Sequence, residues 1–246
     1  MKSVHEIAQE VFDTYGVRVI TDQERTGLPI ACRPADERTC LTYLQQVLTR
    51  ELSIYSPQVI RKSKLNEIIL CQKLASEGQR RGGLTCAAFL GSLGLPFIRN
   101  KIYLNIKVGG GWQYMRAAFH HELFHMIDYF DDINGYYDQR WKSLNRPGFV
   151  YHKDRIDEQR AKPQRGFISE YAMDAVIEDK AEVYSYLLID HRGTEKLVRE
   201  DRILARKVVR MKELLHSFAS EFNEDFWSKR DAASISYAKS IVKTRS

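Results

Sequence analysis

The sequence predicts an α+β fold, with a small mixed or antiparallel sheet in the first half of the chain and a mainly helical second half. β-rich runs occur between residues 17 and 108. Beyond residue 111, apolar residues recur at helical spacing in long segments. We therefore divide the chain into an N-terminal α/β lobe, residues 1–110, and a helical lobe, residues 111–246, which together form one unit.

The N-terminal lobe begins with a helix and a strand. Apolar residues at helical spacing predict a helix over residues 4–15, which Gly16 ends, and the β-rich "VRVIT" follows it. A second amphipathic pattern predicts a helix over residues 37–54. It ends before "YSPQVI", because the proline in that stretch cannot continue a helix.

Three further runs predict strands: "NEIILCQKLA", "LTCAAFLG" and "KIYLNIKV". In the last of these, apolar and polar positions alternate, with Ile102, Leu104 and Ile106 on one face and Tyr103, Asn105 and Lys107 on the other. Successive side chains of a strand point to opposite faces of the sheet. The pattern therefore predicts a half-exposed strand over residues 101–108.

The helical lobe begins after three glycines at residues 109–111. A long helix is predicted over residues 112–130. Residues 131–170 are polar and rich in turn signals, which predicts loops with one short helix around "YDQRWKSL". Two more helices are predicted, over residues 173–190 and 194–222.

Composition indicates a folded protein with a core, since 43% of the 246 residues are hydrophobic. The N-terminus lacks the apolar stretch of a secretory signal, and no run approaches the roughly 18 apolar residues of a membrane span. We expect a soluble protein with no membrane partner, either cytoplasmic or exported without a classical signal peptide.

The charge balance leaves the partner open. The chain has 38 Lys and Arg residues against 32 Asp and Glu residues, a net charge of +6. A basic stretch in the last helix, "HRGTEKLVREDRILARKVVRMK", suggests nucleic-acid binding. Because acidic residues are interspersed in this stretch, a solvated helix face is the better interpretation, and we do not expect nucleic acid as a partner.

The four cysteines are too far apart to form a C-x-x-C pair, which excludes a zinc ribbon and a thioredoxin-type motif. We expect reduced and mostly buried thiols at these positions: Cys32, Cys40, Cys71 and Cys86.

One stretch, "AAFHHELFHMIDYF", carries the pattern His-Glu-x-x-His at His121, Glu122 and His125. Residues four apart on a helix share a face, so both imidazoles can bind one zinc ion at about 2.0–2.1 Å. Glu122 lies beside them, where it can take a proton from zinc-activated water and pass it to a leaving amine. The pattern predicts a catalytic zinc site.

The alternative is a core helix whose histidines bond to each other or to the backbone. It is less favoured, because polar groups crowd an otherwise apolar helix at His120, His121, Glu122 and His125. Burying such groups without partners is costly, whereas a metal ion gives them a common partner.

A catalytic zinc needs a third protein ligand. The long metzincin pattern fails, since Asp128 replaces its glycine, although Asp131 at the position of its third histidine remains an alternative ligand. We prefer Glu178 as the ligand. Glu182, one turn later on the same predicted helix, would hydrogen-bond the far nitrogen of a ligating histidine, and Asp128 is a second candidate for such support.

A tyrosine precedes the proposed ligand by seven residues. From the entrance of this helix, the phenol of Tyr171 can donate a hydrogen bond to the oxyanion of a tetrahedral intermediate. Packing alone would also explain a tyrosine at this position.

These motifs resemble a known group. "HELFH" followed by Asp128, then "WKSLNRPGFVY" and "GFISEYAMDAVIEDKAE", are similar to the bacterial zinc-binding metallopeptidases related to the catalytic domain of anthrax lethal factor. The resemblance covers roughly residues 100–190. Lys180 departs from it, because an aromatic residue is typical there.

The resemblance implies a zincin-like fold and the hydrolysis of peptide bonds. It also implies that Glu178 completes the zinc site and that Tyr171 assists catalysis. Such folds bind an extended peptide along an edge strand ahead of the His-Glu-x-x-His helix, which places "KIYLNIKV" at the sheet edge. Residues 131–170 would be a lid or a merely solvated connection.

The expected function is that of a zinc endopeptidase with a protein or peptide substrate. One alternative is a protease-like module that binds zinc and a partner without cleaving it. The other is a basic nucleic-acid-binding protein.

Overall fold

The computed structural model describes residues 2–26, 29–87, 100–107, 111–131, 138–151 and 163–231. The chain divides into two compact units, Met1–Phe130 and Asp131–Ser246. Our own division into residues 1–110 and 111–246 stays a prediction. No helix among the described residues is both long enough and apolar enough to cross a membrane.

The first helix of unit 1 forms as the sequence predicts. Ser3 caps its first turn and Glu6 returns a hydrogen bond to the Ser3 backbone, so two of the N–H groups at the helix start have partners. Gly16, with φ of 75°, ends the helix in the left-handed conformation that glycine adopts without strain. Ile7 and Val11 are the residues that it buries.

The predicted helix over residues 37–54 is a continuous helical run whose middle turn is wider. Asp36 caps its start, and the five residues of the Leu44–Leu48 segment adopt π-helical geometry. Ser56 caps a new helix that has a proline at its first position. The described helices of this unit are α1 (Val4–Tyr15), α2 (Glu37–Tyr43), α3 (Thr49–Leu52), α4 (Pro57–Lys62) and α5 (Gly111–Asp131).

Unit 1 contains a mixed sheet of six described strands. Strand β3 is its centre: β1 and β6 pair with it in parallel, and β2 and β4 pair with it antiparallel. Strand β5 pairs antiparallel with β6, which gives the order β1-β3-β6-β5. The strands are β1 (Arg18–Ile20), β2 (Ile30–Pro34), β3 (Glu67–Ser76), β4 (Gln79–Arg80), β5 (Gly83–Cys86) and β6 (Lys101–Asn105).

The prediction that "KIYLNIKV" forms a half-exposed edge strand is wrong. Strand β6 lies between β3 and β5, and β5 ends the order of the described strands. Tyr103, expected on the polar face, is fully buried in a cluster with Ile69 and Leu74, and its hydroxyl lies 3.3 Å from an Arg25 nitrogen. Ile102, Tyr103 and Leu104 are all buried, so both faces of this strand are covered. Because tyrosine fits either an apolar or a polar position, the alternating pattern of the segment was misleading.

The cysteines also differ from the expectation of reduced thiols. Cys32 on β2 and Cys71 on β3 form a disulfide, with their Cα atoms 5.9 Å apart. The two lie diagonally across this antiparallel pair, in which Cys32 is opposite Leu74 and Cys71 is opposite Pro34, and sequence spacing did not reveal that pairing. Cys40 and Cys86 are free, and burial raises the pKa of Cys40 to about 11, which keeps its thiol protonated.

Unit 2 is helical throughout its described regular structure. The single helix predicted over residues 194–222 is instead two helices, because Asp201 leaves the helical conformation and caps the second one through the backbone N–H groups of Ile203 and Leu204. The described helices include α6 (Gln139–Ser143), α7 (Val176–Ile189), α8 (His191–Glu200) and α9 (Arg202–Phe218), with a 3₁₀ turn at Tyr171–Met173. Residues 224–231 are helical as well.

Candidate metal centre

The His-Glu-x-x-His pattern lies in the second half of α5, as predicted. One side of this helix is apolar and buried, through Phe119, Leu123, Phe124, Met126 and Ile127. Burial of that side fixes the rotation of the helix about its axis. His121, Glu122 and His125 therefore occupy defined positions on it, with His121 and Glu122 buried and His125 partly buried.

The two predicted imidazole ligands converge. The Nε2 atoms of His121 and His125 lie 3.1 Å apart, and the rings meet edge to face with centroids 4.7 Å apart. Two nitrogens bound to one zinc at about 2.0–2.1 Å with a tetrahedral angle lie roughly 3.3 Å from each other. The residues present therefore fit a shared zinc ion.

The carboxylate of Glu122 is directed at strand β5. The Thr85 hydroxyl lies 2.7 Å from Glu122 Oε2 and 2.8 Å from the Glu122 carbonyl oxygen. Gly83 lies directly against the same side chain, so that an added Cβ would be 2.5 Å from Glu122 Cγ. Neither contact is predicted by the sequence, since no sequence pattern places β5 against α5.

The third histidine of the stretch, His120, belongs to a separate buried cluster. Its Nδ1 lies 2.6 Å from the Tyr55 hydroxyl, and its Nε2 lies 2.7 Å from Glu51 Oε2. Arg116 Nε donates to the other oxygen of Glu51 at 2.5 Å. Burial alone would raise the pKa of Glu51, but His120 and Arg116 outweigh it and lower this pKa to about 2.

Two aspartates near the end of α5 were also candidates. Asp128 is buried one turn after His125. Its support of a histidine stays a prediction, as does ligation by Asp131, whose side chain lies outside the described residues.

The predicted carboxylates and tyrosine lie in unit 2. Glu178 is in the first turn of α7 and Glu182 is one turn later, and both are partly buried. Tyr171 is the first residue of the 3₁₀ turn that precedes α7. The assignment of Glu178 as ligand, of Glu182 as its support and of Tyr171 as a catalytic group stays a prediction.

The residue next to Glu178 anchors the start of α7, although no sequence motif marks it. Asp179 Oδ2 accepts hydrogen bonds from Trp141 Nε1 at 2.8 Å, from the Tyr151 hydroxyl at 2.6 Å and from Lys207 Nζ at 2.7 Å. Lys207 also donates to the Gly166 carbonyl at 2.6 Å. A buried polar network of this kind specifies one arrangement of the elements that it joins.

Lys180, which departs from the pattern of the resembling family, has a partner of its own. Its buried Nζ lies 3.3 Å from an oxygen of Asp138, the residue that caps α6. This ion pair therefore joins α7 to the start of α6.

Unit 1 thus presents a helix on which two imidazoles approach within metal-sharing distance beside a carboxylate, which defines a candidate metal-dependent hydrolase. Residues 104–236 match a family described as "putative zinc-binding metallo-peptidase". Because this match spans just over half of the 246 residues, the chain belongs to that family. Zinc is the metal that the family's description gives, in agreement with the predicted cofactor, and a peptidase family implies a protein or peptide substrate.

A solved structure agrees with the fold. The chain is similar to a crystal structure of a protein from Bacteroides caccae that is itself described as a "putative zinc-binding metallo-peptidase". The TM-score is 0.58 at 15% sequence identity, over 94% of this chain and 91% of that chain. At this identity the likeness shows the fold alone, a mixed sheet with a helical C-terminal half. No curated protein matches the sequence.

Proposed function

We propose that this protein is a zinc-dependent endopeptidase with a zincin-like fold, which hydrolyses peptide bonds inside a protein substrate. The observation that carries the proposal is the 3.1 Å approach of the His121 and His125 Nε2 atoms, with Glu122 between them in the chain. Family membership supports the same class of reaction. Kinship with the catalytic domain of anthrax lethal factor is part of this proposal.

Glu178 is the third zinc ligand in this proposal. Two imidazoles and one carboxylate are a ligand set that zinc peptidases use, and they leave one coordination position for water. Partial burial of Glu178 on a helix held by the Asp179 network supports the choice, because a ligand must be held in place. Glu182, on the same helix, hydrogen-bonds a ligating histidine and fixes its tautomer.

Zinc bound by these residues would supply a water molecule of lowered pKa and would polarise the substrate carbonyl. Glu122 takes the proton of the attacking water and then delivers it to the leaving amine. Tyr171 donates its hydroxyl proton in a hydrogen bond to the oxyanion that forms on the former carbonyl.

The test combines metal analysis with a substitution that keeps the shape of the Glu122 side chain. The purified protein is expected to hold about one zinc per chain and to cleave unfolded proteins or a peptide library at internal bonds, with loss of cleavage in a chelator. Glu122→Gln is expected to keep the metal and lose cleavage, because an amide cannot accept the proton. Glu10→Gln on the exposed face of α1 is the matched control.

The outcomes separate the possibilities. Full cleavage by the Glu122→Gln protein would overturn the assignment of the base. Bound zinc without cleavage of any internal peptide bond by the unsubstituted protein would overturn the proposed activity.

A further inference from the structure

Strand β5 contacts the side chain of the proposed base, Glu122. Two of its residues meet the Glu122 side chain: Gly83 and Thr85. Neither takes part in metal binding or in the proton transfer described above. Their contacts decide where the carboxylate can lie.

The glycine makes room for the carboxylate. A Cβ at Gly83 would lie 2.5 Å from both Cγ and Oε1 of Glu122 and 2.8 Å from its Cδ. Real Cβ atoms essentially never approach other heavy atoms this closely. Any side chain at this position would therefore displace the base from β5.

The threonine holds the carboxylate in that space. Its hydroxyl has a single proton and faces two acceptors, Glu122 Oε2 at 2.7 Å and the Glu122 carbonyl oxygen at 2.8 Å. Hydrogen bonds to a charged acceptor are the stronger ones, so donation to the carboxylate is favoured. Because both acceptors belong to Glu122, the hydroxyl binds this residue to β5 whichever of the two atoms accepts its proton.

We propose that Thr85 is a positioning residue for Glu122. Gly83 assists it, because a glycine leaves the space that the carboxylate occupies. This inference rests on the proposed function, in which Glu122 is the base. A base must lie within hydrogen-bond reach of the proton that it takes, and a misplacement of about 1 Å costs on the order of 100-fold in rate. Thr85 and Gly83 hold Glu122 in one place on β5.

The decisive variants are Thr85→Val, which keeps the shape but lacks the hydroxyl, and Thr85→Ser, which keeps the hydroxyl. Thr85→Val is expected to lower kcat by about 10- to 100-fold with KM and zinc content unchanged, because only the orientation of the base changes. Thr85→Ser is expected to retain kcat within about 3-fold. Thr42→Val, which removes an exposed hydroxyl from α2, is the control.

A glycine pair provides a second, independent comparison. Gly83→Ala is expected to lower kcat with zinc retained, because the new methyl group takes the place of the carboxylate. Gly82→Ala is the matched control, since a Cβ there meets the Tyr114 hydroxyl, the far end of an exposed side chain that can move aside, and does not meet Glu122. Its kcat is expected to stay within about 3-fold of the unsubstituted value.

The position of the Glu122 side chain can be measured even if the protein cleaves no peptide. In crystal structures of the metal-free variants, Glu122 is expected to leave β5 in Thr85→Val and to stay there in Thr85→Ser. If the unsubstituted protein cleaves, Glu122→Gln does not, and Thr85→Val is fully active, the positioning role is wrong while the proposed function stands. A crystal structure of Thr85→Val in which Glu122 keeps its position on β5 would also overturn the positioning role of Thr85.

Discussion

The ammonium group of Lys207 on α9 lies 2.7 Å from Oδ2 of Asp179 on α7, and both side chains are fully buried. Burial raises the pKa of Asp179 and lowers that of Lys207, and each charge opposes the shift in the other. Trp141 and Tyr151 donate to the same oxygen. Helices α6 and α9 and the loop that carries Tyr151 are therefore all bound to α7 at Asp179, the residue next to Glu178.

Removing one partner of this pair is expected to destabilise the protein strongly. Lys207→Met keeps most of the side-chain length but leaves the Asp179 carboxylate buried without its cation, which typically costs about 3–5 kcal/mol. Urea unfolding followed by circular dichroism measures the change in the free energy of unfolding. Lys2→Met, which breaks the exposed pair with Glu10, is the control and should cost less than about 1 kcal/mol. Equal losses in the two variants would show that the buried network does not stabilise α7.

Zinc should stabilise the folded protein, because the converged imidazoles bind it only in the folded state. A zinc concentration about 100 times the dissociation constant adds about 2.7 kcal/mol to the free energy of unfolding. Thermal unfolding with zinc and with a chelator measures the effect. His125→Ala is expected to abolish it, while His216→Ala, on the exposed face of α9, should preserve it. A zinc effect that survives in His125→Ala would exclude this site.

The two glutamates of α7 are distinguished by how much zinc affinity each contributes. Glu178→Gln removes a proposed ligand and is expected to weaken zinc binding more than Glu182→Gln does. Loss of a group that supports a ligating histidine typically costs about 10- to 100-fold in affinity. Competition with a zinc-binding dye measures both dissociation constants. The reverse order would exchange the two roles.

The sequence predicts the local features of the site better than its long-range contacts. The helix that carries His121 and His125 follows from apolar spacing, which depends on neighbouring residues alone. The interior position of β6 and the disulfide between Cys32 and Cys71 depend on strand pairing, and the hydrogen bond from Thr85 to Glu122 depends on how β5 packs against α5. Residues far apart in the chain determine that pairing, and a polar/apolar pattern does not contain it.

Acid is expected to destabilise unit 1 through Glu51. Its pKa falls from an ordinary 4.5 to about 2 in the folded protein, with Arg116 and His120 as the partners that overcome the effect of burial. Because the folded-state pKa is the lower one, the stabilisation is fully present above about pH 4.5 and is lost as the pH falls toward 2. The linked free energy is about 3 kcal/mol.

The measurement is the free energy of unfolding between pH 6 and pH 2.5, in the unsubstituted protein and in Glu51→Gln. Other carboxylates titrate in both proteins, so the difference between the two curves isolates Glu51. We expect the loss of stability on acidification to be smaller in Glu51→Gln. If the free energy of unfolding falls equally with pH in both proteins, the ionisation of Glu51 does not cause the loss of stability.

Tyr171→Phe tests whether the 3₁₀ turn before α7 takes part in catalysis. If the hydroxyl donates to the oxyanion, its loss removes an interaction made only in the transition state, so kcat should fall by about 100- to 1,000-fold while KM stays unchanged. Zinc content should not change, because the phenol is not a ligand in the proposed site. Tyr15→Phe on α1 is the control for the loss of a tyrosine hydroxyl. A fall in stability with unchanged kcat in Tyr171→Phe would instead assign this tyrosine to packing.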